Sequence, residues 1–270
     1  MQRIKLIIAY DGTDFCGWQL QPNLRTVQGE LEKSIARVTG SPVRVHGSGR
    51  TDSGVHALGQ IAHFDVEDRF ASVLWQRALN SLLPDDVTVL QAIPVSSDFH
   101  SRYNAVHKTY TYTLWLENNF FLPWRRHYVW KCGPLDFKAI DKGMQYFLGE
   151  HDFSSFQNTG TLIKSTVRTI HDFKRYPGQN AQEMVLEICG SGFLKQMVRN
   201  ITGCLVTIGR GKAKPESVRS LLQMKDRTAA PATAPAQGLC MAGVYYGDEG
   251  CGGTDTGRNQ SQDSGIGEQI

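Results

Sequence analysis

Apolar and polar residues alternate with a period of two over residues 3–10, placing Ile4, Leu6, Ile8 and Tyr10 on one face of a half-buried strand. A polar, glycine-containing loop follows, D-G-T-D-F-C-G-W-Q. The period then changes. Val27, Leu31, Ile35 and Val38 recur at helical spacing behind Thr26, a capping residue, with Glu30 favourably near the start. Short alternating segments at 43–46 and 60–66 predict two more strands. A helix over about 71–83, with Leu74, Ala78 and Leu82 on its buried side, must end at Pro84. Val87, Val89 and Ile93 mark a fourth strand. The order is β-α-β-β-α-β, the ferredoxin-like plan.

The second half repeats that order without repeating the sequence. Residues 108–116 predict a strand with Tyr110, Tyr112, Leu114 and Leu116 on one face, and Asp136 caps a helix bearing Phe137, Ile140, Met144 and Phe147. Strands are predicted over 166–176 and 183–188. A helix over roughly 193–208 buries Leu194, Met197, Val198, Ile201 and Leu205. A short helix opens at Pro215, and a last strand covers 241–246. The expected class is α/β (α+β), with an N-terminal domain over 1–105 and a C-terminal domain over 106–246. Residues 247–270 combine glycines with almost no apolar content and are expected to be a disordered polar tail.

Composition is that of an ordinary water-soluble chain, 40% hydrophobic and 20% charged, with length enough for a sizeable core. No apolar run approaches a membrane span and no secretory leader opens the chain, so a cytoplasmic protein is expected. The six cysteines form no C-x-x-C pair, and buried free thiols are expected in place of disulfides or a zinc site. Net charge is +3, but five acidic residues and only Arg258 fall in the tail, so the body is more basic than that figure. Such a body is compatible with nucleic-acid binding.

The densest chemistry lies between the second and third strands, in G-S-G-R-T-D-S-G-V-H-A, residues 47–57. Glycines at this density let the backbone turn sharply and approach a ligand. Arg50, two residues before Asp52, offers an anion clamp beside a potential nucleophile or base. On its own an Asp-Ser-Gly is more often a capped turn. Neither a dinucleotide fingerprint nor a Walker loop fits. His46, His56 and His63 flank the loop, yet Ser53 sits in no G-x-S-x-G elbow and no H-x-x-x-H or H-E-x-x-H pairing exists. Neither a hydrolase nor a metal site is therefore adopted.

This stretch closely resembles the signature of the TruA family of tRNA pseudouridine synthases, with Ser48 replacing the usual alanine. A-V-H-K-T-Y-T-Y-T at 105–113 resembles the family's second motif, and G-S-G-F-L-K-Q-M-V-R-N-I-T-G at 190–203 its third. Shorter matches include Y-D-G-T-D-F-C-G-W-Q at 10–19, D-F-H-S-R-Y at 98–103, L-G-E-H-D-F-S-S-F at 148–156 and K-D-R-T at 225–228. The resemblance runs from about Ile4 to Tyr246.

The resemblance implies two ferredoxin-like domains side by side around a central RNA-binding cleft, and isomerisation of uridine to pseudouridine at positions 38, 39 and 40 of the tRNA anticodon stem-loop. It implies Asp52 as the catalytic carboxylate, Tyr110 as the platform for the target uracil, and Arg199 as the ion-pair partner keeping Asp52 charged and oriented. A homodimer is also implied. The reaction needs no redox change and no outside group, so no cofactor and no metal are expected. The target base must be extruded, and Arg50 is the candidate to occupy its place or clamp a neighbouring phosphate. Lys108, Lys164, Arg168 and Lys195 are candidate backbone contacts by charge and position. The alternatives are a non-catalytic tRNA-binding or remodelling protein, which has no need of Asp52, and a hydrolase using Asp52 on a nucleoside or sugar; the intact three-part constellation argues against both.

Overall fold

The structure, a computed structural model, describes residues 1–158 and 164–247. The expected polar tail beyond Gly247 lies outside the described residues. In chain order the described elements are β1 (Gln2–Tyr10), α1 (Val27–Thr39), β2 (His46–Gly47), β3 (His56–Val66), α2 (Trp75–Asn80), β4 (Val87–Val95), β5 (Ala105–Trp115), β6 (Trp130–Lys131), α3 (Phe137–Gln145), β7 (Gly149–Asp152), β8 (Val167–Pro177), β9 (Glu183–Gly190), α4 (Met197–Gly209), α5 (Ser217–Met224) and β10 (Leu239–Tyr246). The class is mixed α/β.

All the strands join one large mixed sheet in the order β4-β1-β3-β10-β5-β9-β8-β7, with β2 added to β3 and β6 to β5. The N-terminal strands thus occupy one side and the C-terminal strands the other. They meet where β3 and β10 run parallel for a short distance, Cys240 beside His56 and Met241 beside Ala57. One buried apolar cluster runs beneath both sides, from Ile4, Leu6 and Ile8 of β1 to Ile201 and Leu205 of α4.

Most of the predicted faces are the buried ones, because the period is enforced by burial of one side only. Ile4, Leu6, Ile8 and Tyr10 are buried, as are Val27, Leu31 and Ile35. Thr26 caps α1 by accepting from the Gly29 N–H, and Asp136 caps α3 by accepting from Lys138 and Ala139.

Three predictions are corrected by competing interactions. The strand expected at 43–46 is only His46–Gly47, because the Val45 backbone bonds side chains of α1: its N–H donates to Glu32 and its carbonyl accepts from Gln28. The second helix is shorter than expected and turned, burying Trp75 and Leu79 while Leu74 is 71% exposed. Trp75 sets that phase by packing edge-on against Phe64, ring centroids 5.0 Å apart. Asn80 then ends the helix by exchanging two hydrogen bonds with the Val89 backbone. Finally, α4 starts at Met197 and not near 193, since Gln196 has a left-handed φ of 63° that no helix interior accommodates.

Among the described residues Cys16, Cys132, Cys204 and Cys240 carry free thiols. No helix among the described residues is long and apolar enough to cross a membrane.

Candidate active site

The seam between β3 and β10 fixes the site. Tyr10, Ala57, Met241 and Tyr110 form one row of paired residues across β1, β3, β10 and β5. Adjacent strands are about 4.8 Å apart, so Tyr110 stands roughly 10 Å across the sheet from Ala57. Asp52 lies five residues before Ala57, in the loop delivered onto this row.

Backbone contacts hold that loop from below. The Thr51 carbonyl accepts from Trp18 N–H, the Asp52 carbonyl accepts from Val55 N–H, and Ser53 Oγ donates to the Phe15 carbonyl. Gly17 has a φ of 85°, and a Cβ there would lie 2.6 Å from the Thr51 carbonyl oxygen. Segment 11–19 is therefore a cradle for the Asp52 loop, and residue 17 must be glycine for the two backbones to touch. Tyr10 adds a buried hydroxyl–hydroxyl bond of 2.8 Å to Thr51.

Arg199, in the first turn of α4, approaches from the other side. Its Nη1 lies 3.2 Å from Asp52 Oδ2, and its Nε donates to the Ala234 carbonyl at 2.8 Å. Both side chains of the pair are mostly enclosed, 14% exposed for Arg199 and 23% for Asp52. The pair joins residues 147 positions apart.

Tyr110 is 8% exposed, and Phe193 meets its ring edge-on at 5.1 Å. Burial pushes its phenol far above the usual range, with Tyr10, Asp52 and Cys240 adding to the effect. At neutral pH its hydroxyl is a proton donor and not a base.

The remaining predicted residues fall into two groups. Lys108 is close to the loop: its ammonium donates to the Ser48 carbonyl at 2.7 Å. Burial pushes that ammonium down to about 8, and the charges of Arg102 and Arg168 push the same way. Arg168 donates to the Ser165 and Val167 carbonyls, and burial lowers it also. Lys108, Arg102 and Arg168 thus form one field of positive charge beside the Asp52 loop. Arg50 is exposed at the loop's edge, and none of the ion pairs among the described residues includes it. Lys164 and Lys195 are exposed, and no contact among the described residues ties them to Asp52.

The flanking histidines are absorbed by structure. His63 is buried against Ser101, and burial pushes its imidazole down to about 4. His56 accepts from Gly12 N–H and contacts the His127 carbonyl. Among the described residues no group of three or more His, Cys, Asp or Glu side chains is arranged to hold a metal ion.

Sequence reasoning missed two parts of this site. The apolar pattern makes Phe193 the first residue of a helix, whereas the segment preceding α4 lays it on Tyr110. Ala234 grips Arg199 through backbone atoms alone, which no side-chain pattern announces.

The tRNA pseudouridine synthase family profile matches residues 6–104 and 144–247, stretches that contain Asp52 and Arg199, while Tyr110 falls between them. "tRNA pseudouridine synthase A" of Maridesulfovibrio salexigens is 84% identical over 267 residues, covering 98% of each chain. The protein of that name from Solidesulfovibrio magneticus is 54% identical, covering 94% of each chain. The one from Geobacillus kaustophilus is 45% identical, covering 92% of this chain and 96% of its own. Likeness of this extent, running through both sides of the sheet, places the chain in the TruA family of tRNA pseudouridine synthases, which are isomerases.

Proposed function

We propose that this enzyme converts uridine to pseudouridine at positions 38, 39 and 40 of the tRNA anticodon stem-loop, with Asp52 as its catalytic carboxylate. The observation that carries the reading is the Arg199–Asp52 pair, 3.2 Å apart beside Tyr110 at the β3–β10 seam. The isomerisation breaks the N1–C1′ bond, turns the base and joins C5 to C1′; C5 loses a proton and N1 gains one. It therefore needs a carboxylate near sugar and base, a platform for the loosened uracil and a counter-charge. Asp52, Tyr110 and Arg199 are suited to these roles.

Each side of the sheet is read as one ferredoxin-like unit. The orders β4-β1-β3-β2 and β10-β5-β9-β8 both follow the fourth–first–third–second arrangement of that plan. In this reading the units are residues 1–105 and 106–246, and the RNA lies in a cleft along their seam. Two copies of the chain form a homodimer around the tRNA.

A stacked base reaches Asp52 only when extruded, at a cost of a few kcal/mol. Stacking on Tyr110 offsets part of this, about 1–3 kcal/mol for a base on an aromatic ring. Because Tyr110 is only 8% exposed, Phe193 has to turn away to admit the base. Arg50, exposed and without an acidic partner among the described residues, takes the vacated place or a flanking phosphate. Lys108, Arg168, Lys164 and Lys195 contact the RNA backbone, which fixes register and carries no sequence information. Reading three neighbouring sites in different tRNAs requires recognition of shape.

Lys108 gives this reading a pH dependence. A phosphate beside the ammonium favours its charged form, so the complex keeps a proton that the free protein releases above about pH 8. At fixed salt, the tRNA Kd of the wild type rises between pH 7 and pH 9, by up to about tenfold per unit once Lys108 discharges. Lys108→Met binds more weakly at pH 7 and lacks that rise in a filter-binding titration.

The deciding experiment uses unmodified tRNA transcripts with uridine at 38, 39 or 40, and maps pseudouridine by carbodiimide-dependent primer-extension stops. Stops at those positions are expected. Stops confined to other positions would overturn the proposed site, and tight binding without stops would favour a remodelling role.

A further inference from the structure

Arg199 is held in place by a piece of chain with almost no polar side chains of its own. Residues 229–238 read A-A-P-A-T-A-P-A-Q-G. This strap crosses α4 so closely that a Cβ on Gly203 would lie 2.1 Å from the Ala232 carbonyl oxygen. Ala234, fully buried, grips Arg199 twice: its N–H donates to the Arg199 carbonyl at 3.1 Å, and its carbonyl accepts from Arg199 Nε at 2.8 Å. The aim of the guanidinium at Asp52 therefore depends on where the strap lies.

A strap of alanine and proline cannot fix itself. Its carbonyls need donors, and Pro231 and Pro235 have no N–H to offer. Arg227 meets that need. One arm of its guanidinium donates to the Ala230 and Pro231 carbonyls at 3.1 and 3.2 Å, and the other to Thr233 Oγ1 and Asn200 Oδ1 at 2.9 and 3.0 Å. Asn200 is fully buried in α4, one residue after Arg199. It is fixed by donating to the Phe156 carbonyl at 2.7 Å and accepts from Thr233 at 2.7 Å.

All these acceptors are neutral, so the guanidinium is used for its rigid fork of donors and not for ion pairing. We infer that Arg227 is a positioning residue for the reaction: it ties the strap to Asn200 of α4 so that Ala234 aims Arg199 at Asp52. The inference rests on the proposed role of the Arg199–Asp52 pair. It extends the site by a residue about 30 positions further along the chain, on a different element.

The test is a kinetic cycle on the full-length enzyme with tRNA transcript, using Arg227→Gln, Arg227→Lys, Arg199→Lys and the doubles with Arg199→Lys. Arg227→Gln is expected to lower kcat about tenfold or more while KM for tRNA stays within about twofold, the signature of an interaction made in the transition state. Lysine at 227 keeps a donor and is expected to recover part of the loss. In the Arg199→Lys background Arg227→Gln is expected to add little, because both changes damage one contact. Full multiplication of the two losses, or a change in KM alone, would overturn the inference. An Arg199→Lys enzyme with wild-type kcat would also overturn the inference, since charge without the Ala234 contact would then suffice; the reading of the pair itself falls only if Arg199→Met keeps wild-type kcat. If Arg227→Gln does not fold, as judged by thermal melting, Thr233→Val removes only the two bonds made by that hydroxyl, to Arg227 and to Asn200; an unchanged kcat in that variant would also overturn the inference.

Discussion

With Asp52 replaced by asparagine, tRNA is expected to remain bound and pseudouridine formation to disappear. Turnover is expected to fall by about 10⁴-fold or more, the scale on which enzymes lose a group that takes part directly in bond making. Affinity is expected to stay within about threefold, because phosphate contacts supply most of it and Asp52 is not a cation. The fold is expected to persist as well. The loop is held by backbone bonds from Trp18 and Val55 and by the cradle around Gly17, none of which uses the carboxylate. Arg199 keeps its bond to Ala234 when Asp52 is neutral. Primer-extension mapping reads the first outcome, filter binding the second and thermal melting the third. Residual turnover within tenfold of wild type would move the essential carboxylate elsewhere.

Asp52, Tyr110 and Arg199 were singled out by the resemblance of their three segments to the family's motifs; residue types alone left Asp52 in what is more often a capped turn. The strand carrying Tyr110 was visible from its alternation, and α4 from its apolar stripe, though its start was not. What brings the two together was not visible. The β3–β10 pairing rests on two residue pairs, and a strand's period says which face is buried, never which neighbour it takes. The grip on Arg199 was hidden for a different reason. It runs through the Ala234 backbone, and every residue type offers the same carbonyl. Helix α2 shows the limit of a periodic reading from within: Leu74 and Trp75 differ by one position, and the larger ring took the core.

Arg199→Met is expected to lower kcat by about 10²–10³-fold with KM for tRNA nearly unchanged, the range for removing one preorganised electrostatic partner from an active site. Arg199 holds a cation 3.2 Å from Asp52 in a place from which both are largely screened from water. Bringing an RNA backbone over that place adds negative charge and removes solvent, so the counter-charge matters most in the complex. Arg199→Lys is expected to lose less, about tenfold. A lysine keeps the charge but is a single point, and cannot bond Ala234 and face Asp52 at once as the guanidinium does. The order wild type, lysine, methionine in single-turnover rates therefore separates two contributions, charge and aim. Equal losses for lysine and methionine would make aim the whole effect; a lysine variant as fast as wild type would leave charge alone. A methionine variant with wild-type kcat would remove the cation from the mechanism, leaving Asp52 to act with only Tyr110 beside it.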